Sequence, residues 1–341
     1  MQNADFLLGF GVFLSERTAA RATGPAFAPF DKKRKRMKRT WIRAAFGFVC
    51  SAALLGARLA LAEAPAERVV MISAHAPEQI TVLDQDGKTL WSIGEQEGVE
   101  HPQDAAVLDG GTVVFSVLHG AKAVRISDKK ELWSYTTPGD AQNPVAQPLD
   151  GGYFLVGNEG PCRLLEINPE GEVRKEVKVD DCPFKGTHGQ FRFCRKTPEG
   201  TYLFPMVNAG LLREYDASGK QLRQFPVKGM PVCALRLDGG ITLTGDGAAV
   251  KEFNVNDETV WSFDCVADGG FKPGIVTAVS RLKNGNTLIG YYQNDPETPD
   301  VIEISRDKKV VWSLTLKDVN YVAAVQALDS EWKPSQDVLA R

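Results

Sequence analysis

ITVLDQDGKTLW, the stretch from Ile80 to Trp91, decides how this chain folds. It consists of an apolar run, a turn that contains Asp86 and Gly87, and a second run that ends at Trp91. Apolar residues that alternate on both sides of a Gly-containing turn are typical of a β-hairpin. We therefore predict two antiparallel strands in this stretch.

The same hairpin recurs five more times along the chain. Three full copies end at Trp133, Trp261 and Trp312, and two weaker copies end at Arg174 and Arg223. Counted from the end of the first copy, the steps are 42, 41, 49, 38 and 51 residues, which is the length of one propeller blade. A second turn, usually Asp-Gly or Asn-Gly inside an apolar run, lies between the hairpins, so each period supplies four strands.

The two ends of the repeat complete each other. Only three strands can be drawn before Trp91, at 68–73, 80–84 and 89–93, whereas 321–328 is a strand without a blade of its own. We predict that this last strand joins the first blade, because closure leaves no open sheet edge. Residues 63–341 are thus predicted to form one all-β domain, a six-bladed propeller of four-stranded antiparallel blades, with the tryptophans packed between neighbouring blades.

The hairpin from Leu83 to Trp91 resembles the tryptophan-docking repeat of pyrroloquinoline quinone (PQQ)-like propellers. The strand LKNGNTLI, residues 282–289, is similar to those of six-bladed bacterial arylsulfotransferase-type propellers. The resemblance implies the architecture over residues 68–328. Quinone-binding members have eight blades, adjacent cysteines and a calcium-binding carboxylate site, and this sequence has none of these patterns. We therefore predict no bound PQQ and no other cofactor.

The start of the chain is predicted to direct export. Residues 32–39 are basic, 44–57 are apolar and uncharged, and Ala60-Leu61-Ala62 fits a cleavage site. We expect residues 37–62 to be a signal peptide, 1–36 to be a non-native or disordered extension, and the mature protein to be periplasmic or extracellular. The apolar stretch is too short for a spanning helix, so no stable membrane anchor is expected.

Charge limits the partners of the mature chain. Residues 1–62 hold 11 Lys and Arg against 3 Asp and Glu, which leaves 29 basic and 40 acidic residues in the remainder. A net negative surface repels phosphate backbones, so nucleic acid is not an expected partner. We expect a monomer that binds a small molecule or a protein.

Five cysteines follow the predicted cleavage site, so at least one is not bridged. The hairpin around Asn168 and Gly171 should bring Cys162 and Cys182 to the same face of the ring, and an exported protein can form disulfides. We predict a bridge between these two. No Cys-x-x-Cys or His-x-x-x-His pair is present, so no metal site is predicted.

Chemistry is expected at one mouth of the channel, where the inter-blade loops and the loops between second and third strands meet. All four histidines fall in these loops. We single out His188, whose imidazole could act as base or nucleophile on an anionic ester held by Arg192 or Arg195. The alternatives are that His188 hydrogen-bonds a loop carbonyl, and that the arginines pair with Asp104 and Glu199.

Two functions are consistent with these patterns. The first is a binding or interaction module that uses one channel mouth, and the second is an arylsulfotransferase-like enzyme centred on His188. The predicted ligand-binding residues are polar residues of the mouth loops: His101, Gln103, Asn143, His188, Gln190, Arg192, Asn208 and Asp246. For His101, which precedes Pro102, a structural role in the loop is the alternative.

Overall fold

The computed structural model describes residues 68–292, 295–336 and 338–340. The predicted extension and signal peptide, and the loop residues 293–294, lie outside the described residues. Within them the protein is a ring of six β-sheets, and the predicted six-bladed propeller is confirmed. No helix in the described part of the chain has the length and hydropathy needed to cross a bilayer.

Each blade is an antiparallel sheet whose innermost strand follows an inter-blade loop. The first blade contains β1 (Val69–His75), β2 (Glu78–Leu83) and β3 (Thr89–Gly94). The second contains β4 (Ala105–Leu108), β5 (Thr112–Val117), β6 (Gly120–Arg125) and β7 (Glu131–Thr136). The third contains β8 (Ala146–Pro148), β9 (Phe154–Asn158), β10 (Arg163–Ile167) and β11 (Val173–Lys178).

The second half of the ring repeats this order. The fourth blade contains β12 (Arg195–Lys196), β13 (Tyr202–Met206), β14 (Leu211–Tyr215) and β15 (Gln221–Phe225). The fifth contains β16 (Ala234–Arg236), β17 (Thr242–Asp246), β18 (Ala249–Phe253) and β19 (Thr259–Asp264). The sixth contains β20 (Ile275–Leu282), β21 (Thr287–Tyr292), β22 (Val301–Ile304) and β23 (Val310–Leu314), followed by β24 (Val322–Leu328) and β25 (Val338–Ala340). Short 3-10 turns occupy Glu95–Glu97, Asp150–Gly152 and Asp238–Gly240.

The ring closes as the sequence predicts. Strand β24 leaves the sixth blade and pairs with β1, with Val70 opposite Ala327 and Ile72 opposite Val325. The first blade therefore has the order β24-β1-β2-β3, in which the innermost strand comes from the end of the chain. Strand β25 was not predicted; it adds to the inner edge of the sixth blade by pairing with β20.

The tryptophans that end the hairpins join each blade to the next. The indole N–H groups of Trp91, Trp261 and Trp312 donate to main-chain oxygens in the third-strand turn of the following blade, at 2.9–3.2 Å. Trp133 is buried and stacks on Phe154 of the third blade, with ring centroids 4.7 Å apart. The predicted packing of tryptophan between blades is thus observed at four junctions.

A second contact between blades involves a glutamate on the third strand. Four of these carboxylates are buried, and each pairs with a cation near the inner edge of the following blade: Glu166 with Lys196, Glu214 with Arg236, Glu252 with Arg281, and Glu303 with Arg68. A buried carboxylate needs such a partner, because an unpaired buried charge is costly. This repeated pairing gives these positions a structural role.

Candidate functional site

Three histidines from different blades meet at one end of the ring. His75 ends β1, His101 lies in the loop before β4, and His188 lies in the loop before β12. Arg192 and Tyr321, from the loops before β12 and β24, join them. Every inter-blade loop leads into an inner strand, and the inner strands all run in the same direction along the ring axis. The residues of these loops therefore lie at the same end of the ring. We call these five residues the histidine mouth.

His188 is held by hydrogen bonds at both ring nitrogens. Arg192 Nη2 lies 2.9 Å from His188 Nε2, and His188 Nδ1 lies 2.7 Å from Gln142 Oε1. A guanidinium only donates, so Nε2 must accept, and the ring proton lies on Nδ1 and is donated to Gln142. Burial, together with the nearby charge of Arg192 and His101, lowers the pKa of His188 to about 4. The imidazole is therefore neutral at physiological pH.

Arg192 is itself fixed from its other side by Glu159. Its Nη1 donates to both carboxylate oxygens of Glu159, at 2.9 and 3.0 Å, and both side chains are buried. Burial raises the pKa of Glu159, while Arg192 and backbone N–H groups, including that of Phe191, oppose this. The result is a chain of four polar groups, from Glu159 through Arg192 and His188 to Gln142.

The other two histidines pack against aromatic rings and an acid. His75 stacks on Tyr321, with centroids 4.3 Å apart, and meets His101 edge-on at 6.1 Å. Burial lowers the pKa of His75 to about 3, and the positive fields of His101, Arg192 and His188 add to this effect. His101 Nδ1 lies 3.2 Å from Glu78 Oε1, and 29% of the His101 side chain is exposed.

An aromatic surface adjoins the histidines on the side of the fifth and sixth blades. Tyr292 packs against Tyr321, with centroids 5.3 Å apart. Phe271 and Met230, in two inter-blade loops, are partly buried against the same hydrophobic cluster. The histidine mouth and this adjoining aromatic surface together offer polar and apolar groups, which is the usual composition of a small-molecule site.

The remaining predicted ligand-binding residues support the loops or lie at the edge of the site. Asn143 accepts from Val145 N and Gly157 N, and Asp246 accepts from Lys228 N. Gln190 is buried, and its side chain bonds both Gly160 and Phe184.

Two further predicted residues differ in exposure. Asn208 is exposed, and its amide donates to the main-chain oxygen of His188 at 3.3 Å. Gln103 is buried, and its Oε1 has no hydrogen-bond partner among the residues that the structure describes.

Arg195 does not join His188. Its guanidinium makes two hydrogen bonds to Asp104, at 2.7 and 2.8 Å, which is the alternative pairing that the sequence left open for this arginine. Both residues line a small cavity of about 20 Å³ among the inner strands. Of the two arginines predicted to hold an anionic ester, Arg192 therefore contacts His188, whereas Arg195 lies on the inner strand itself and faces the acid that precedes β4 of the second blade.

A larger cavity of about 650 Å³ lies at the opposite end of the ring, beside the turns that follow β8 and β12. Its cations include Arg174, Lys196 and Arg236. Each of them is paired with a carboxylate, Glu166 for the first two and Glu214 for the third. These charges already stabilise the junctions between blades, so the cavity offers few uncommitted groups to a ligand.

Several residues of the site were not identified from the sequence. Tyr321 was assigned only to the closing strand, Glu159 was placed among the polar residues of the mouth loops without a role, and Glu78, Gln142 and Tyr292 were not singled out. Their positions at loop or strand ends on the mouth side were the available signal. Within the described residues, no group of three or more His, Cys, Asp or Glu side chains, the three histidines of the mouth included, is arranged so that it could hold a metal ion.

The predicted bridge between Cys162 and Cys182 is not formed in the structure, where both are buried thiols. The two thiols nevertheless lie close enough for each to shift the pKa of the other, as the hairpin argument predicts. The disulfide itself stays a prediction.

Comparison with known proteins bears on the fold. A protein of unknown function from Bacteroides caccae is 24% identical, with a TM-score of 0.68 over 77% of this chain and 99% of that one. A streptogramin B lyase is 13% identical, with a TM-score of 0.53 over 73% of this chain and 80% of that one. The virginiamycin B lyase of Staphylococcus aureus, as a catalytically inactive His-to-Ala variant with quinupristin, is 10% identical, with a TM-score of 0.51 over 73% and 85%. No protein-family model and no curated protein sequence matches the chain.

Proposed function

We propose that this protein is a binding propeller whose histidine mouth holds a small ligand with a ring and a hydrogen-bonding group. The proposal depends mainly on one observation, the meeting of three imidazoles, one guanidinium and Tyr321 from separate loops at a single end of the ring. Polar groups are costly to bury, and such clusters are common at functional sites.

The contacts of the mouth favour binding over chemistry. Both ring nitrogens of His188 are occupied, and Arg192 is committed to Glu159. A base or nucleophile needs a free lone pair directed at the substrate. His188 would have to break its bond to Arg192 before it could act as either, whereas it can contact a ligand without any rearrangement.

The histidine mouth and the adjoining aromatic surface suit different parts of a ligand. Tyr292 and Phe271 offer partly exposed aromatic faces to a ring, and His101 offers a partly exposed imidazole edge to a polar substituent. The polar side chains are already positioned by Glu78, Gln142 and Glu159, so binding would cost little additional ordering. We therefore expect a preformed site.

A screen by thermal shift tests this function. The mature protein is heated with sugars, sulfate esters, aromatic carboxylates and quinones. A ligand at a hundredfold its Kd should stabilise the fold by about 2.7 kcal/mol. His101→Ala and Tyr292→Ala should abolish the shift. Asp150→Asn and Glu199→Gln, at the opposite cavity, are the controls. A ligand whose shift survives the first pair and is lost in the second would refute the proposal.

The enzyme hypothesis is the second candidate, and one observation favours it. The lowered pKa of His75 and of His188 keeps both imidazoles unprotonated, as a general base requires. In the structurally similar virginiamycin B lyase, the variant that lacks one histidine is catalytically inactive. Turnover of a screened ligand, lost in His75→Phe or His188→Gln, would establish this candidate over simple binding.

We further propose that the protein works outside the cytoplasm as a monomer. The support is the basic, apolar and small-residue pattern over residues 32–62. N-terminal sequencing of the protein from its producing cell should find a first residue close to Glu63, and light scattering should give the mass of one chain. A mature N-terminus near Met1 would contradict export.

A further inference from the structure

Two buried thiols lie at the base of the loop that carries His188. Cys162 is in the turn between β9 and β10, Cys182 is in the loop after β11, and they are 2% and 3% exposed. Both belong to one buried cluster, each thiol shifts the pKa of the other, and Cys182 Sγ donates to the main-chain oxygen of Phe184 at 3.3 Å. Their backbones are joined nearby, because Val179 N donates to Cys162 O at 3.0 Å. The two cysteines are therefore neighbours at the end of the hairpin that β10 and β11 form.

The same two segments are joined a second time by Gln190. Its Nε2 donates to the main-chain oxygens of Gly160 and Phe184, at 3.2 and 3.0 Å, and its Oε1 accepts from Gly160 N at 2.7 Å. Gly160 is two residues before Cys162, and Phe184 is two residues after Cys182. The thiol pair and Gln190 thus hold the two ends of the loop 182–190 against the β9–β10 turn.

His188 lies within this loop, and its position depends on how the loop is held. Its ring reaches Gln142 in the preceding inter-blade loop and Arg192 at the loop's own end. The loop contains no regular secondary structure between β11 and β12. A covalent bond at its base would limit its movement more strongly than hydrogen bonds do.

We propose that Cys162 and Cys182 form a reversible disulfide, and that this bond fixes the loop that presents His188 at the histidine mouth. The effect on ligand affinity rests on the proposed function, whereas the effect on His188 does not. The oxidant would be a low-molecular-weight disulfide.

The exchange proceeds in two balanced steps. The Cys182 thiolate attacks one sulfur of the small disulfide, which forms a mixed disulfide and releases one small thiolate. The Cys162 thiolate then attacks Cys182 Sγ, which forms the internal bond and releases the second. The protein loses two protons and two electrons, and the small disulfide becomes two thiols. The neighbouring Cys162 thiol lowers the pKa of Cys182 to about 7, which makes Cys182 the attacking group.

The experiment uses the unmodified protein in buffers of graded glutathione and glutathione disulfide. Free thiols are alkylated, and peptide mapping by mass spectrometry locates any bridge. We expect a Cys162–Cys182 peptide whose amount rises with the oxidised fraction of the buffer. A bridge from either residue to Cys194, or none at any potential, would overturn the proposal.

Coupling to the mouth is measured on the same samples without ligand. The ring Cε1–H resonance of His188, assigned with His188→Gln, should shift or sharpen on oxidation. Cys182→Ser should remove this response, and Cys265→Ser, a buried thiol near Tyr291, should retain it. A bridge that forms without any change at His188 would overturn the coupling. Failure of the ligand screen would leave both readouts intact, so the two proposals can fail separately.

Discussion

Arg192 donates to Nε2 of His188 across 2.9 Å while its other terminal nitrogen binds Glu159. One guanidinium therefore joins a fully buried acid to an imidazole at the ring surface. Because the acid holds the guanidinium in place, the imidazole meets a fixed donor whose positive charge lies beside its ring. The pKa of His188 should therefore respond to replacements of Arg192 and Glu159.

Removal of the Arg192 charge should raise the pKa of His188. In the double variant Glu159→Gln with Arg192→Gln, no buried charge is left unpaired. We expect the pKa to rise from about 4 toward its ordinary value but not to reach it, because burial is the larger cause and remains. An NMR titration of the ring Cε1–H measures this. The matched control is Asp104→Asn with Arg195→Gln, which removes the deeper ion pair and should leave His188 closer to wild type. An unchanged pKa in the first variant would contradict the assigned contact.

His75 should make the protein sensitive to acid. Its pKa is about 3 in the folded state, against an ordinary value of 6.5, so the unfolded chain binds a proton that the folded protein excludes. The free energy of unfolding should therefore fall as the pH drops from 6.5 toward 3, by on the order of 4 kcal/mol.

His75→Phe keeps the stack on Tyr321 and removes the titrating group. The pH dependence of urea unfolding should become shallower in this variant. The control is Trp133→Phe, which exchanges one non-titrating ring for another and should keep the wild-type slope. Equal slopes in all three proteins would show that His75 is not the cause.

Trp133 should contribute more stability than Trp312. Trp133 is 8% exposed and stacks on Phe154, so Trp133→Ala should lower the free energy of unfolding by about 3–5 kcal/mol. Trp312 is only partly buried, and its replacement by Ala should cost less. Trp133→Phe preserves the stack and serves as the control. Chemical denaturation measures all three, and equal losses at the two tryptophans would argue against the packing described.

The ion pair between Glu252 and Arg281 should show strong coupling. Glu252→Leu leaves the buried Arg281 without its carboxylate, and we expect a loss of about 3–5 kcal/mol. Adding Arg281→Met should recover most of that loss, because no buried charge then remains. A double-mutant cycle by urea unfolding gives the coupling energy. Additive single effects would mean that the two side chains do not depend on each other.

The sequence predicted the ring because its signals are local and repeated. Gly87 and the residues at the same position in the other hairpins set the turns, and Trp91 and its equivalents mark the outer strands. The repeat length, and with it the strand that closes the ring, could therefore be predicted from the sequence. Strand β25 could not be predicted, since its three residues show no blade pattern.

The site was harder to predict because its contacts join distant parts of the chain. Arg192 and Arg195 are three residues apart, yet one binds Glu159 and the other Asp104. Nothing near either arginine distinguishes these outcomes. The partner of each arginine depends on which carboxylate the neighbouring blade brings close to it. The positions of these carboxylates follow from loop conformations, and the loops do not share the sequence repeat of the blades.

The pairing of β24 with β1 sets the order in which the protein can be completed. A chain made from its N-terminus emerges with β1 already present, but the strand that covers the inner side of β1 leaves the ribosome only after the strands of the other five blades. Until then the first blade has an unsatisfied backbone edge that a neighbouring nascent chain could occupy. Such long-range pairing also slows folding, so the final closing step is where this protein would be most dependent on molecular chaperones.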